Sequence, residues 1–402
     1  MSGLISVDEA LVLLAQNALA HSSETVSLEA ALGTRLAAPV IARVSRPQVA
    51  VSAMDGYAVR LADVAAAGAR LRVIGEAPAG HPFAGSIREG EAVRMFTGSV
   101  IPGGADHVVI QEETDTDGAT IVCLNTYAAP EHVRHAGIDF AEGDTLLEEG
   151  ALITPAGLSV AAAANHGSLS VWKRLRIGIL ANGDELRQPG SALDVGQIVN
   201  SNPAGLSALV REWGGEPVDL GIAGDSLSSI HSKIEGARDI DIFLPVGGAS
   251  VGDHDLMRPA FAGAGFMPVF ERVAVKPGKP TWFSRRGQQR VVGLPGNPAS
   301  AFVCAHLFLK PLLAGRTGHA FIKARSVSAL PAPGRRETFL RASIHAGPGG
   351  VLEAEAAPDQ DSSLISPFLK ANGLIRRLSG SPAVAVGDIV DVLMIGHVRP
   401  GK

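Results

Sequence analysis

The sequence predicts a multidomain α/β and β protein. It should contain a central three-layer α/β domain, an elongated helical N-terminal region carrying an inserted β domain, and a small C-terminal β barrel. Three observations carry this. Residues 173–322 alternate strand-length apolar runs with helical patterns, the mark of an open, mostly parallel sheet covered by helices. Residues 45–130 hold short apolar runs separated by Gly, Pro and Asp, which reads as a compact β domain. Residues 323–402 alternate apolar and polar positions with no long helical pattern, as antiparallel strands do. With 46% apolar and 19% charged residues over 402 positions, the composition is that of a globular chain of several domains.

The elements follow in order. Ser6 and Glu9 form a capping box, and Val7, Leu11, Leu14 and Ala18 recur at helical spacing, so residues 6–20 should be an amphipathic helix. A second helical pattern covers 28–36. Strands are expected at 57–59, 71–74, 92–95, 107–111 and 120–124. Residues 131–172 return to the first region with an Ala-rich helix at 156–164. Residues 1–44 and 131–172 are therefore read as one elongated domain interrupted by the β domain. In the α/β domain, strands at 175–180, 217–222 and 240–246 alternate with helices at 202–213, 226–237 and 256–261. Further strands follow at 269–275, 281–283 and 290–294, then a long apolar helix at 299–313. The run 240–246 is almost wholly apolar, as in a central parallel strand buried on both faces. In the last domain, strands are expected at 339–344, 351–355, 374–377 and 389–394, with a short helical pattern at 365–371.

Composition also excludes functions. A net charge of −5 and 4% aromatic residues disfavour a nucleic-acid surface, a base-stacking platform or an anionic membrane face. Cys123 and Cys304, the only cysteines, read as buried hydrophobes in a reducing compartment. The N-terminus carries Asp8 and Glu9 where a signal peptide would be basic. The longest uncharged stretch, 150–172, contains Pro155 and Asn165 and is too weakly apolar for a membrane span. A cytoplasmic protein is expected.

Four loops leave the carboxyl ends of strands in the α/β domain, where ligands of such sheets bind. The first, Ala181-Asn182-Gly183-Asp184-Glu185-Leu186, offers carboxylates beside a permissive glycine, and by itself reads as an acidic turn. The second, Gly247-Gly248-Ala249-Ser250-Val251-Gly252-Asp253-His254-Asp255, places backbone N–H groups before a helix, suited to an oxyanion. It is neither a Walker loop nor a dinucleotide fingerprint. Its acids would repel a phosphate without an intervening cation, which suggests Mg²⁺. Its letters also fit a Gly-x-Ser-x-Gly elbow, but no His and Asp partners can be nominated, so a serine nucleophile is set aside. The third, Lys276-Pro277-Gly278-Lys279-Pro280, holds two ammonium groups on a proline-stiffened turn, an anion site. In the fourth, Leu294-Pro295-Gly296-Asn297-Pro298-Ala299-Ser300, Asn297 should cap a helix that opens with Pro298. Together the loops describe an electropositive crevice edged with carboxylates, suited to a phosphorylated ligand with Mg²⁺. Three further turns contain Asp55, Thr97 and Asp139. His132 and His135 lie three apart but lack the companions a zinc site needs.

These segments bring the chain close to a known family. Ser52-Ala53-Met54-Asp55-Gly56-Tyr57-Ala58, Phe96-Thr97-Gly98, Gly183-Asp184-Glu185-Leu186, Gly247–Asp255, Lys276–Pro280 and Leu294–Ser300 resemble, in this order, the motifs of the molybdopterin molybdenumtransferases, the MoeA family, related to the C-terminal domain of gephyrin. The resemblance implies a MoaB/Mog-like central domain. It implies that adenylylated molybdopterin and molybdate are converted to molybdenum cofactor and AMP with Mg²⁺. It also implies an elongated homodimer whose site lies between the α/β domain of one subunit and the N-terminal part of the other. Molybdopterin adenylyltransferase and acceptor molybdoenzymes or their chaperones become possible partners, with no nucleic acid and no membrane. By the same resemblance, Asp55, Thr97 and Asp139 come from the N-terminal region, while Glu185, Asp225 and Asp255 form the acidic, metal-holding set. Gly247, Gly248 and Ser250 belong to the oxyanion loop. Lys276 and Lys279 form the anion pair, Pro295 and Pro298 shape the neighbouring loop, and Arg336 and Ser362 come from the last domain, with Arg335 and Ser363 as their alternates. Ala181-Asn182 replaces the Ser-Thr often found in the family. The competing readings are a molybdopterin adenylyltransferase and a gephyrin-like scaffold that binds peptides at the dimer edge.

Overall fold

In the computed structural model, which describes residues 3–247 and 256–399, the first helix forms where its capping signal places it. Ser6 Oγ accepts from the Glu9 N–H at 3.1 Å, and a Glu9 carboxylate oxygen accepts from the Ser6 N–H at 2.7 Å. The helix runs Val7–Gln16, shorter than expected, because Asn17 closes it. Val7, Ala10, Leu11 and Leu14 are buried against Leu307, Phe308 and Leu312. The preceding Leu4–Ile5 pairs in parallel with Arg272–Val273. The N-terminal segment therefore lies with the α/β domain, where the expectation placed 1–44 with 131–172. The chain divides into two units, the residues up to His21 with those from Arg174 onward, and Ser22–Lys173.

The first unit is built on a six-stranded sheet in the order Glu216–Ala223, Arg176–Asn182, Ile242–Val246, Gln289–Gly293, Trp282–Arg286, Met267–Phe270. The first four strands are parallel; Trp282–Arg286 runs antiparallel to Gln289–Gly293, and Met267–Phe270 antiparallel to Trp282–Arg286. Side chains alternate across it. Ile177, Ile179, Ile242 and Leu244 pack in one core cluster with Leu206, Val210 and Ala301. Leu180, Phe243 and Val291 pack in another with Ile230, Ile234 and Phe261. Two apolar faces covered by helices make three layers. The strand Arg176–Asn182 lies between the two strands that follow it in sequence. The connections therefore leave toward opposite sides and open a crevice at the carboxyl ends.

Two long elements are subdivided. The helix expected at 299–313 is Pro298–Cys304, a π turn at Ala305–Leu309, and Lys310–Ala314. The strand expected at 269–275 breaks into Met267–Phe270, Arg272–Val273 and Val275–Lys276. The last of these joins the C-terminal domain, pairing in parallel with Glu337–Ala346. There, five strands close on themselves, since Glu337–Ala346 pairs with both Leu352–Ala356 and Gly373–Arg377. Sequence alternation did not reveal Ile322–Ser326, which pairs in parallel with Leu352–Ala356. Residues 365–371 form only the 3₁₀ turn Ser366–Leu369.

The second unit contains a six-stranded sheet, His107–Ile110, Gly56–Val59, Glu91–Met95, Arg70–Ala77, Thr120–Cys123, Thr114–Thr116 in spatial order. All neighbours are antiparallel except Arg70–Ala77 with Glu91–Met95. The flanking segments pair as antiparallel ribbons: Ser23–Ser27 with Ser168–Trp172, Val40–Ile41 with Thr145–Leu147, and Val51–Ser52 with Val133–Arg134. The expected helix at 28–36 is only Leu28–Ala31, followed by Gly33 at φ +73°. Thr25 and Val26 are β-branched and favour the extended state that precedes it. Among the described residues, no helix is long and apolar enough to cross a membrane.

Candidate functional site

The carboxyl ends of three neighbouring parallel strands open onto a pocket of about 740 Å³. Asn182 ends the first strand and Glu185 follows it, Val246 ends the central one and Gly247 follows it, and Pro295–Pro298 follow the third. Ile198–Asn202 form a wall, Lys279 and Pro280 a rim, and Ser363 arrives from the barrel. Gly247 sits at φ +101°, and a Cβ on Gly296 would come within 3.3 Å of the Gly247 Cα. Two loops thus pack backbone to backbone, closer than a side chain at Gly296 would allow without a shift. Of the residues nominated from sequence, Glu185, Gly247, Lys279, Pro295, Pro298 and Ser363, the alternate to Ser362, line this pocket. Gly248, Ser250 and Asp255 lie outside the described residues.

Asp225 is not among the residues that line the pocket, and it is bonded to the turn that carries Glu185. Its Oδ1 accepts from Asn182 Nδ2 at 2.9 Å and its Oδ2 from the Asp184 N–H at 3.1 Å. Ser226 caps the following helix, its side chain accepting from the Ser229 N–H.

The lysine loop is held from below. Thr281 Oγ1 donates to the Gly278 carbonyl at 2.8 Å and lies 3.2 Å from Cys304 Sγ. Gly278 has φ +117°, and a Cβ there would collide with that sulfur. The Lys276–Pro277 peptide is cis. The two lysines part company. Lys279 reaches the pocket, whereas Lys276 is exposed beside the barrel strand and is not among the lining residues.

The fourth loop corrects an expectation. Asn297 occupies the cap position before Pro298–Cys304 but makes no side-chain cap bond. Its amide donates instead to Ser362 Oγ at 2.8 Å, and Ala299 N–H donates to the Ser362 carbonyl at 3.1 Å. Ser362 is thereby placed beside the pocket. Arg336 is not: its Nη1 donates to the Val275 carbonyl at 3.3 Å, next to Lys276. The arginine that organises this corner is Arg341, which the sequence did not single out. It is 2% exposed. Its guanidinium reaches the carbonyls of Asp359, Asp361 and Leu364 and the side chain of Gln360, clamping the loop that carries both serines. Its strand alternates Leu340, Ala342 and Ile344 toward the barrel core, and Arg341 lies on the other face with Glu337 and Ser343, where a charged residue gives no sign of its burial.

In the second unit, Asp55 and Thr97 are joined. Asp55 Oδ1 accepts from the Thr97 N–H at 2.7 Å and from Thr97 Oγ1 at 2.8 Å. These bonds, the backbone one foremost, hold the exposed carboxyl below the usual carboxylate range. Gly98, at φ +84°, turns the chain so that its N–H meets the buried Ser52 carbonyl. Asp139 pairs with Arg46 at 3.3 Å, both side chains being largely exposed.

The pocket lies at the switch point of a doubly wound α/β sheet, with a lysine, a glutamate and a proline-opened helix around it, the place where sheets of this class bind their ligands. Three family descriptions match along the chain: "MoeA N-terminal region (domain I and II)" over residues 5–165, "Probable molybdopterin binding domain" over 178–315, and "MoeA C-terminal region (domain IV)" over 323–395. A Nostoc protein named molybdopterin molybdenumtransferase is 34% identical, covering 93% of this chain and 89% of its own length. A protein of the same name from Haemophilus influenzae is 31% identical, covering 98% and 100%. The crystal structure of a molybdopterin biosynthesis MoeA protein from Pyrococcus horikoshii superposes with a TM-score of 0.85 at 26% identity, over 98% of this chain and 100% of that one. The chain belongs to the molybdopterin molybdenumtransferase (MoeA) family.

Proposed function

We propose that this protein inserts molybdenum into adenylylated molybdopterin, releasing AMP and molybdenum cofactor. The observation that carries the proposal is the convergence of Glu185, Lys279 and the Pro295–Pro298 loop on one pocket, in a chain related to these transferases through all its parts. The family's names favour this over the adenylyltransferase and scaffold readings.

Cleaving the phosphoanhydride requires in-line attack and charge neutralisation more than covalent catalysis. Water adds to phosphorus, the bridging P–O bond breaks, and AMP departs while the pterin phosphate is restored. Lys279 supplies fixed positive charge at the rim for molybdate or phosphate, and Lys276 a second charge further out. The dithiolene sulfurs that take molybdenum belong to the ligand. Cys304 and Cys123 are buried, their thiols pushed up to about 12 and about 11, so neither offers a thiolate. Glu185 and Asp225, with Asp255, are the hard oxygen donors that would hold Mg²⁺, whose charge would neutralise the pyrophosphate. Among the described residues, no group of three or more His, Cys, Asp or Glu could hold a metal alone.

The same reading makes the protein a cytoplasmic homodimer in which Asp55, Thr97 and Asp139 of one subunit serve the pocket of the other. The test is AMP release from adenylylated molybdopterin with Mg²⁺ and molybdate, followed by chromatography. Wild-type protein should release AMP, and folded Glu185→Ala should not. No release from wild type overturns the proposal, and normal release from Glu185→Ala removes that residue from it. Mixing and reassembling Asp55→Asn with Glu185→Gln subunits should recover about a quarter of the sites if each site spans two copies.

A further inference from the structure

Asn182 ends the strand Arg176–Asn182 and is 6% exposed. Its amide nitrogen donates to Asp225 Oδ1 at 2.9 Å and lies 3.3 and 3.4 Å from the carbonyl oxygens of Ala223 and Gly224. All three neighbours can only accept, so the NH₂ end must face them. The other Asp225 oxygen accepts from the Asp184 N–H, and Asp184 Oδ1 accepts from the Asp225 N–H, each at 3.1 Å. One buried amide therefore closes a lattice between the ends of two adjacent parallel strands.

The turn between Asn182 and Glu185 needs such support. Gly183 sits at φ +150°, a backbone conformation that favours glycine, and the Glu185 carboxylate lies against it, 2.5 Å from where a Cβ would stand. Glycine makes the turn possible and also makes it loose. Asp225 is an exposed residue with two free side-chain torsions. One hydrogen bond on each of its oxygens leaves a lone pair on each for a further partner.

We infer that Asn182 is the positioning residue of this pocket. It fixes the Asp225 carboxylate and, through the reciprocal Asp184–Asp225 bonds, the turn that presents Glu185 to the ligand. The catalytic consequence rests on the proposed reaction; the geometric part stands without it.

The test uses full-length Asn182→Leu, which keeps the packing volume and removes the donor, with Asn182→Ala as a second variant. Crystal structures should show Asp225 turned away and its bond to the Asp184 N–H broken. AMP release should fall about tenfold or more in kcat, with a raised Mg²⁺ requirement and a KM for the adenylylated pterin within about twofold of wild type. Asp225 and Asp184 unmoved in the variants would overturn the inference, as would displaced carboxylates with unaltered turnover. If wild-type protein releases no AMP, the proposed reaction fails by itself, and the crystallographic comparison still decides the role of Asn182.

Discussion

Replacing Arg341 by alanine should loosen one wall of the pocket without touching a residue that lines it. The guanidinium donates to Leu364 O at 2.5 Å, Asp361 O at 2.9 Å, Asp359 O at 3.2 Å and Gln360 Oε1 at 3.3 Å. Gln360 closes the ring, accepting from the Arg341 N–H and donating to its carbonyl, both at 3.0 Å. Asp359 and Asp361 are exposed, and water can replace the arginine there. Leu364 and Gln360 are half-buried and would lose a charged donor. At about 1.5–3 kcal/mol for each charge-assisted bond, those two set a local cost of about 3–6 kcal/mol. The assay is hydrogen exchange over residues 357–364 and at the Ala299 amide, which donates to the Ser362 carbonyl. A cost of about 3 kcal/mol corresponds to roughly 150-fold faster opening. AMP release should fall with it, because Ser362 and Ser363 ride on this loop. Arg341→Lys should restore little, since a single ammonium cannot serve four acceptors spread around a planar fork. Exchange within about threefold of wild type, with normal AMP release, would refute the clamp.

Three further outcomes follow from the geometry. Lys279→Ala should raise the molybdate concentration needed for half-maximal AMP release by about tenfold or more, and Lys276→Ala by less, because only Lys279 lines the pocket; equal effects would show that both ammonium groups bind the anion alike. Thr97→Val should raise the Asp55 carboxyl titration only partly toward the ordinary value, since the backbone N–H bond is the larger cause and survives. Asp55 then contributes above the ordinary carboxylate range and loses that contribution as pH falls through its depressed folded value. Carboxyl NMR would read this, and an unmoved midpoint counts against it. Burial holds His306 down to about 3 and His319 to about 4, while in the unfolded chain both protonate near 6.5. Stability should therefore be full above about pH 6.5 and fall on acidification by up to about 1.4 kcal/mol per pH unit for each histidine. Urea unfolding from pH 7 to 5 should show this slope and His306→Phe should reduce it; a flat profile would contradict the burial argument.

Much of the site was legible because its parts are local. Glu185, Lys279 and Pro298 each belong to a short run of Gly, Pro and charged residues that announces a loop at a strand end. Asp225 was not legible from its own neighbours, which read as a plain turn before a helix; resemblance supplied it. Arg341 was missed because its partners are carbonyls 18 to 23 residues away, and backbone acceptors leave no trace in residue identity. The mostly helical reading of residues 1–44 failed between its two helices, where Ser168–Trp172, more than 140 residues distant, offers Ser23–Ser27 a strand to pair with.

The amino-acid order by itself determined the periodicities, the capping box, the loop chemistry and the family, all of which depend on residues within a few positions of one another or on motif order. Tertiary structure alone decided that the first helix lies with the α/β domain, that Lys279 and not Lys276 faces the pocket, that Asn297 serves Ser362 in place of its own helix, and that Asn182 holds Asp225. Each of these choices depends on which distant donor, acceptor or apolar face is brought within a few ångströms. Several partners of equal chemistry exist along the chain, and only the packed sheet selects among them.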